Sequence, residues 1–191
     1  RRQRQMCIRD RSWDISLVAR PYMEHLCQRT GASVMLSVCE GGSVITLDQV
    51  EARDNLRVVS DIGSRLPIYC TSQGKVFLAH MSRTSAEALL RAQHMTQFTP
   101  HTITDLTALM QEIDLCRANG YAIENGEYKI GLRSISAPVY TVEGKARYTV
   151  GVIGMFRSPH SEEFHAAVEQ VCVTASMIST ALGYRKQEET L

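Results

Sequence analysis

Two adjacent glycines, Gly41-Gly42, separate "ASVMLSVCE" from "SVITLDQVE". Both runs are rich in β-branched residues, and a glycine pair supplies the positive φ angles that a tight hairpin turn needs. The pattern therefore predicts antiparallel sheet here. A second hairpin is read in "GLRSISAPVYTVEGKARYTVGVIGMF", which turns back on itself at Glu143-Gly144. The shorter runs "NLRVVSDI" and "YAIEN" read as further strands.

Helical patterns frame these strands. Trp13, Ile15, Leu17, Val18, Tyr22, Met23 and Leu26 recur at helical spacing between Ser12 and Arg29, and Gly31 closes the run. Pro21 inside it predicts a kink or a break. In "RTSAEALLRAQ", Thr84 and Glu87 form a capping box. "TDLTALMQEIDLCRANG" reads as an amphipathic helix stopped by Gly120, and "SEEFHAAVEQVCVTASMISTALGYR" as a long closing helix. Helices before, between and after antiparallel hairpins predict an α+β domain with helices packed on one sheet. A chain of 191 residues, 44% apolar and 21% charged, is large enough to bury one sizeable core.

The net charge of +1 conceals an uneven distribution. "RRQRQMCIRDR", residues 1–11, carries five Arg and one Asp and lacks apolar periodicity. Such an arm can touch nucleic acid, but its abrupt junction with a globular pattern reads as a disordered or artefactual arm. Residues 12–184 form the domain, and 185–191 a frayed tail. No apolar run approaches the roughly 20 residues of a membrane span, and no signal peptide is recognised. Cys7, Cys27, Cys39, Cys70, Cys116 and Cys172 show no C-x-x-C spacing. That usage predicts buried, reduced thiols in a cytoplasmic protein, with no disulfide framework and no zinc site, and neither metal nor cofactor is expected.

The chemistry centres on "GSRLPIYCTSQGKVFLAH", Gly63 to His80, where a small polar group of residues precedes a helical run. A phosphate loop is excluded, because Tyr69 stands at the first glycine position and Val76 at the hydroxyl position. His160 and His165 do not share a helix face, and neither an H-E-x-x-H motif nor a G-x-S-x-G elbow occurs. Cys70 close to a helix start can have a depressed pKa and act as a nucleophile, which keeps a thiol-dependent enzyme open as an alternative. A helix starting near Thr71 or Ser72 would leave first-turn N–H groups free to hold an anion, and Gly74 would allow a chain segment or ligand to approach closely. A capped helix whose N–H groups are satisfied by Ser72 and water explains the same pattern equally well.

Two long stretches add a family resemblance. "GSRLPIYCTSQGKVFLA" resembles the first signature of IclR-type bacterial transcription regulators, and "GYAIENGEYKIGLRSISAPVY" resembles the second, in the same order. The resemblance runs from about Ser12 to Tyr184 and covers the effector-binding domain. It implies a GAF-like antiparallel sheet flanked by helices, with a ligand pocket over one face. The winged helix-turn-helix that would contact DNA has no counterpart here. "SWDISLVARPYMEHLCQRTG" resembles the helix that follows it.

By resemblance, the backbone of Ser72 and Gln73 holds a ligand carboxylate. Val58 and Leu66 form apolar walls, Leu132 packs from the second signature, Ser134 hydrogen-bonds the ligand, and Glu124 fills an acidic position. The family often places two ligand-facing serines after the second hairpin, where "GVIGMF" puts Gly151 and Ile153. Loss of two hydroxyls disfavours a very small polar acid such as glyoxylate, each missing partner costing about 1–3 kcal/mol. Extra room at Gly151 would suit an aromatic or branched acid. The implied protein is a non-enzymatic sensor of a small carboxylic acid, assembling as a homodimer or homotetramer and reaching DNA only through the absent domain. A ligand-free dimerisation module is a further alternative.

Overall fold

The computed structural model describes residues 2–52 and 61–185, with side chains from residue 15 onward. Its elements are α1 (Arg2–Thr30), β1 (Ser33–Glu40), β2 (Ser43–Val50), β3 (Arg65–Pro67), α2 (Ser72–Ala79) and α3 (Arg83–Arg91). They continue with α4 (Leu106–Asn119), β4 (Ala122–Asn125), β5 (Arg133–Tyr140), β6 (Ala146–Gly154) and α5 (Glu162–Ala181). The strands form one antiparallel sheet in the order β3-β2-β1-β6-β5-β4. The fold is α+β, as the alternation of hairpins and helices predicted.

Both glycine-marked hairpins form. Gly41 and Gly42 have φ of 59° and 75°, and β1 pairs with β2 across them. Helices cover both faces of the sheet. On one face α1 and α5 pack on β1, β5 and β6 around Leu26, Leu36, Ile135, Val150 and Phe164. On the other, α2 and α4 enclose Val44, Ile68, Val76, Leu109 and Ile113. Central strands covered on both faces explain why "SVMLSVCE" is buried over five consecutive residues, whereas the more peripheral β2 alternates.

Several local expectations are corrected. Helix α1 runs through Pro21 as one element, so of the kink or break expected there the break does not occur. Pro21 and Leu17, whose carbonyl loses its N–H partner, both lie on the exposed face, where water can satisfy it. The cap of α3 is Ser82, accepting from Ser85 N, and not Thr84, while Glu87 pairs with Arg91. The strand expected over "NLRVVSDI" falls mostly on residues outside the described ones. The edge strand β3 is a separate three-residue piece, Arg65–Pro67.

Candidate functional site: the start of helix α2 over the sheet

Helix α2 begins where the sequence placed a helix start, and its cap is Thr71. The Thr71 hydroxyl accepts from Gly74 N at 3.2 Å and donates to the Pro67 carbonyl at 2.8 Å, locking the turn. Lys75 N bonds the Thr71 carbonyl. The N–H groups of Ser72 and Gln73 find no acceptor among the described residues. Gly74 has a specific reason: a Cβ there would lie 1.9 Å from the Ile68 carbonyl oxygen. The close approach it permits is to the chain itself.

Beneath this turn lies β5. Ser134 and Ser136 are two residues apart on a strand and so point to the same face. The Ser72 hydroxyl reaches both, donating to Ser134 Oγ at 2.8 Å and lying 2.7 Å from Ser136 Oγ. Ser134 in turn donates to Glu124 Oε2 at 3.1 Å. Glu124 Oε1 accepts from the backbone N–H of Glu127 at 2.6 Å and of Tyr128 at 3.1 Å, holding the loop after β4. Burial pushes the Glu124 carboxyl above its ordinary range, against the lowering effect of those backbone bonds. The result is a chain of buried hydroxyls ending on a buried carboxylate.

A cavity of about 270 Å³ opens beside this chain. Gln73, Glu124 and Ser134 form its polar side, and Leu66, Leu132, Met35 and Ile153 its apolar side. Arg65, Lys129 and Asp61 also line it. Tyr128 contributes an aromatic wall backed by Phe98, whose ring centre is 5.0 Å away. Six residues singled out from sequence thus meet at one cavity: Leu66, Gln73, Glu124, Leu132, Ser134 and Ile153. Ser72 lies beneath the floor, fully buried against Ser134 and Ser136. Val58 lies outside the described residues. Gly151 provides no extra room, because a Cβ there would meet Ser136 Oγ at 2.2 Å and the Ile135 carbonyl at 2.3 Å. It lets the neighbouring strand pack closely and does not widen the cavity.

The sequence reading missed Ser136, Tyr128 and the pair Lys75–Glu127. Ser136 was recoverable from the two-residue period of a strand. Lys75 is 1% exposed and bonds Glu127 Oε1 at 2.6 Å and the Ile123 carbonyl at 3.3 Å. Both residues of the pair line a second, larger hollow of about 490 Å³ between α4 and the β4 edge, which no serine or threonine lines. Cys70 is fully buried, and burial, followed by the charges of Glu127 and Glu124, pushes its thiol up to about 12. A thiol in that setting is not a thiolate at neutral pH.

The comparisons agree with this geometry. Residues 10–180 match the family model described as the bacterial transcriptional regulator IclR C-terminal domain. The HTH-type transcriptional repressor AllR of Escherichia coli K12 is 28% identical over 172 residues, covering 90% of this chain. The chain spans 64% of the length of that relative. The structure of Thermotoga maritima IclR superposes with a TM-score of 0.83 at 28% identity, over 89% of this chain and 69% of that one. An IclR homologue from Microbacterium hydrocarbonoxydans, solved in complex with 4-hydroxybenzoate, shares the fold with a TM-score of 0.82 at 24% identity. That match covers 90% of this chain and 69% of the homologue. With both signatures, the sheet order and the family match in agreement, the chain belongs to the IclR C-terminal family of bacterial transcriptional regulators.

Proposed function

We propose that the cavity at the start of α2 binds a small organic acid, and that the domain senses this acid for a cytoplasmic transcription regulator without catalysing a reaction. The observation that carries the reading is the pair of unpartnered N–H groups at Ser72 and Gln73 beside a cavity with one polar and one apolar side. A helix start favours an anion through its free donors and its dipole. A volume of about 270 Å³ with Tyr128, Leu132 and Ile153 on its walls suits an acid with one ring or a short branched chain. The bound 4-hydroxybenzoate of the Microbacterium homologue has that chemistry. Relay to DNA through a further domain, and assembly with a second copy of the chain, belong to the same proposal. A ligand can drive that relay only by binding one arrangement of the assembly better than another.

Calorimetric titration tests the reading. With 4-hydroxybenzoate and a panel of small aliphatic and aromatic monocarboxylic acids, at least one acid should bind with one-to-one stoichiometry per chain. Ser134→Ala should weaken it by about 0.5–3 kcal/mol, whereas Cys70→Ser should leave the affinity within a few-fold. Binding by no acid, or binding abolished by Cys70→Ser alone, contradicts the proposal.

A further inference from the structure

The hydroxyl chain has a direction. Ser134 donates to Glu124 Oε2 and accepts from Ser72. A serine carries a single proton, so Ser134 has none left for a ligand while Glu124 accepts it. With the Ser72 proton directed at Ser134, Ser136 must be the donor in its contact with Ser72. A carboxylate entering the cavity would meet two donors on α2 but, opposite them, a carboxylate and the lone pairs of Ser134. That arrangement repels the ligand the helix start attracts.

We propose, resting on the organic-acid reading above, that the site takes up one proton with its ligand, and that Glu124 carries it. The proton comes from solvent and binds Oε2. Glu124 then donates to Ser134 Oγ, and the Ser134 hydroxyl is released to donate to the ligand's carboxylate. Ser134 keeps one donor and two acceptor positions, so every member of the chain stays satisfied. Oε1 needs only to accept, and its bonds from Glu127 N and Tyr128 N are undisturbed. Glu124 is thereby a specificity residue: neutralised, it admits an anion that its charged form would exclude.

The surroundings favour this assignment. Glu127 and Lys75 neutralise each other at 2.6 Å. Asp61, Arg65 and Lys129 line the same cavity, Tyr128 lies on the loop that Glu124 holds, and Cys70 is held as a thiol. Met35 of β1 and Ile153 of β6 bring no charge. The free carboxyl already titrates above its ordinary range because it is buried, so a ligand's negative charge need add only a further upward shift.

Wild-type protein titrated with 4-hydroxybenzoate and the same acid panel, in buffers of differing ionisation enthalpy, reads proton uptake directly. Between the free and liganded pKa values of Glu124, binding should take up as much as one proton per site. The affinity should rise as pH falls, by up to about tenfold per unit between the free and liganded pKa values of Glu124. In Glu124→Gln the amide donates to Ser134 as the protonated acid would, so uptake should vanish and affinity should no longer vary with pH. Binding without proton uptake in the wild type, or uptake unchanged in Glu124→Gln, overturns this inference and leaves the organic-acid reading standing. Binding by no acid overturns both. The wild-type proton count decides the matter even where the variant does not fold.

Discussion

Lys75 shows how far residue type alone can mislead. Following Gly74, it invites a phosphate-binding reading, yet its side chain is 1% exposed and committed to Glu127, Glu112 and the Ile123 carbonyl. It is the internal counterion that allows a second carboxylate, Glu127, to sit near Glu124. Replacing it with Met would strand the Glu127 charge in the interior, which costs about 3–5 kcal/mol. Urea denaturation of Lys75→Met should show a loss of that order, and Lys75→Met combined with Glu127→Gln should recover much of it. Equal stability of the single variant and the wild type would mean that Glu127 is neutral in the fold. Ser134 and Glu124, which both line the cavity, were legible as candidates because the second signature contains them. Their mutual hydrogen bond was not, because it depends on the register of β4 against β5, which places Glu124 opposite Ser134.

At the scale of elements, the helix start and the hairpins were readable because each is specified locally. A capping hydroxyl lies three residues before the N–H it binds, and paired glycines set a turn without tertiary help. What failed was set by contacts across the chain. Gly151 is dictated by Ser136 on the next strand and marks no space for a ligand. Gly74, by contrast, serves the first of its two expected uses, close approach of a chain segment at the Ile68 carbonyl. Pro21 survives inside α1 because it faces away from the core. The outer faces of α1 and α5, which pack side by side, leave Leu17 at 70%, Val173 at 54% and Met177 at 47% exposure. These residues are the basis for expecting self-association through this layer. Light scattering at high micromolar concentration should report a species larger than the 21.4 kDa chain. Val173→Glu with Met177→Glu should shift it toward monomer. A monomer in the wild type at that concentration contradicts the expectation.

Across the whole molecule, one sheet separates two layers with different tasks. The α1–α5 layer supplies the larger core, while the α2–α4 layer holds the cavity, the hydroxyl chain and the Lys75–Glu127 pair. Strands β1, β5 and β6 are shared by both, so a ligand that changes how α2 sits on Ser134 and Ser136 acts on strands that α1 and α5 also grip. This is a physical route from the cavity to the α1–α5 face, and it begins at two backbone amides. Their response to ligand is the most direct test of the account. In ¹⁵N-labelled protein titrated with whichever acid calorimetry identifies, the Ser72 and Gln73 amide protons should move downfield together, as N–H groups do when they gain a carboxylate acceptor. Unmoved Ser72 and Gln73 signals, with the shifts confined to Ile123, Asn125 and other residues around the hollow beside α4, would place the ligand elsewhere and contradict it.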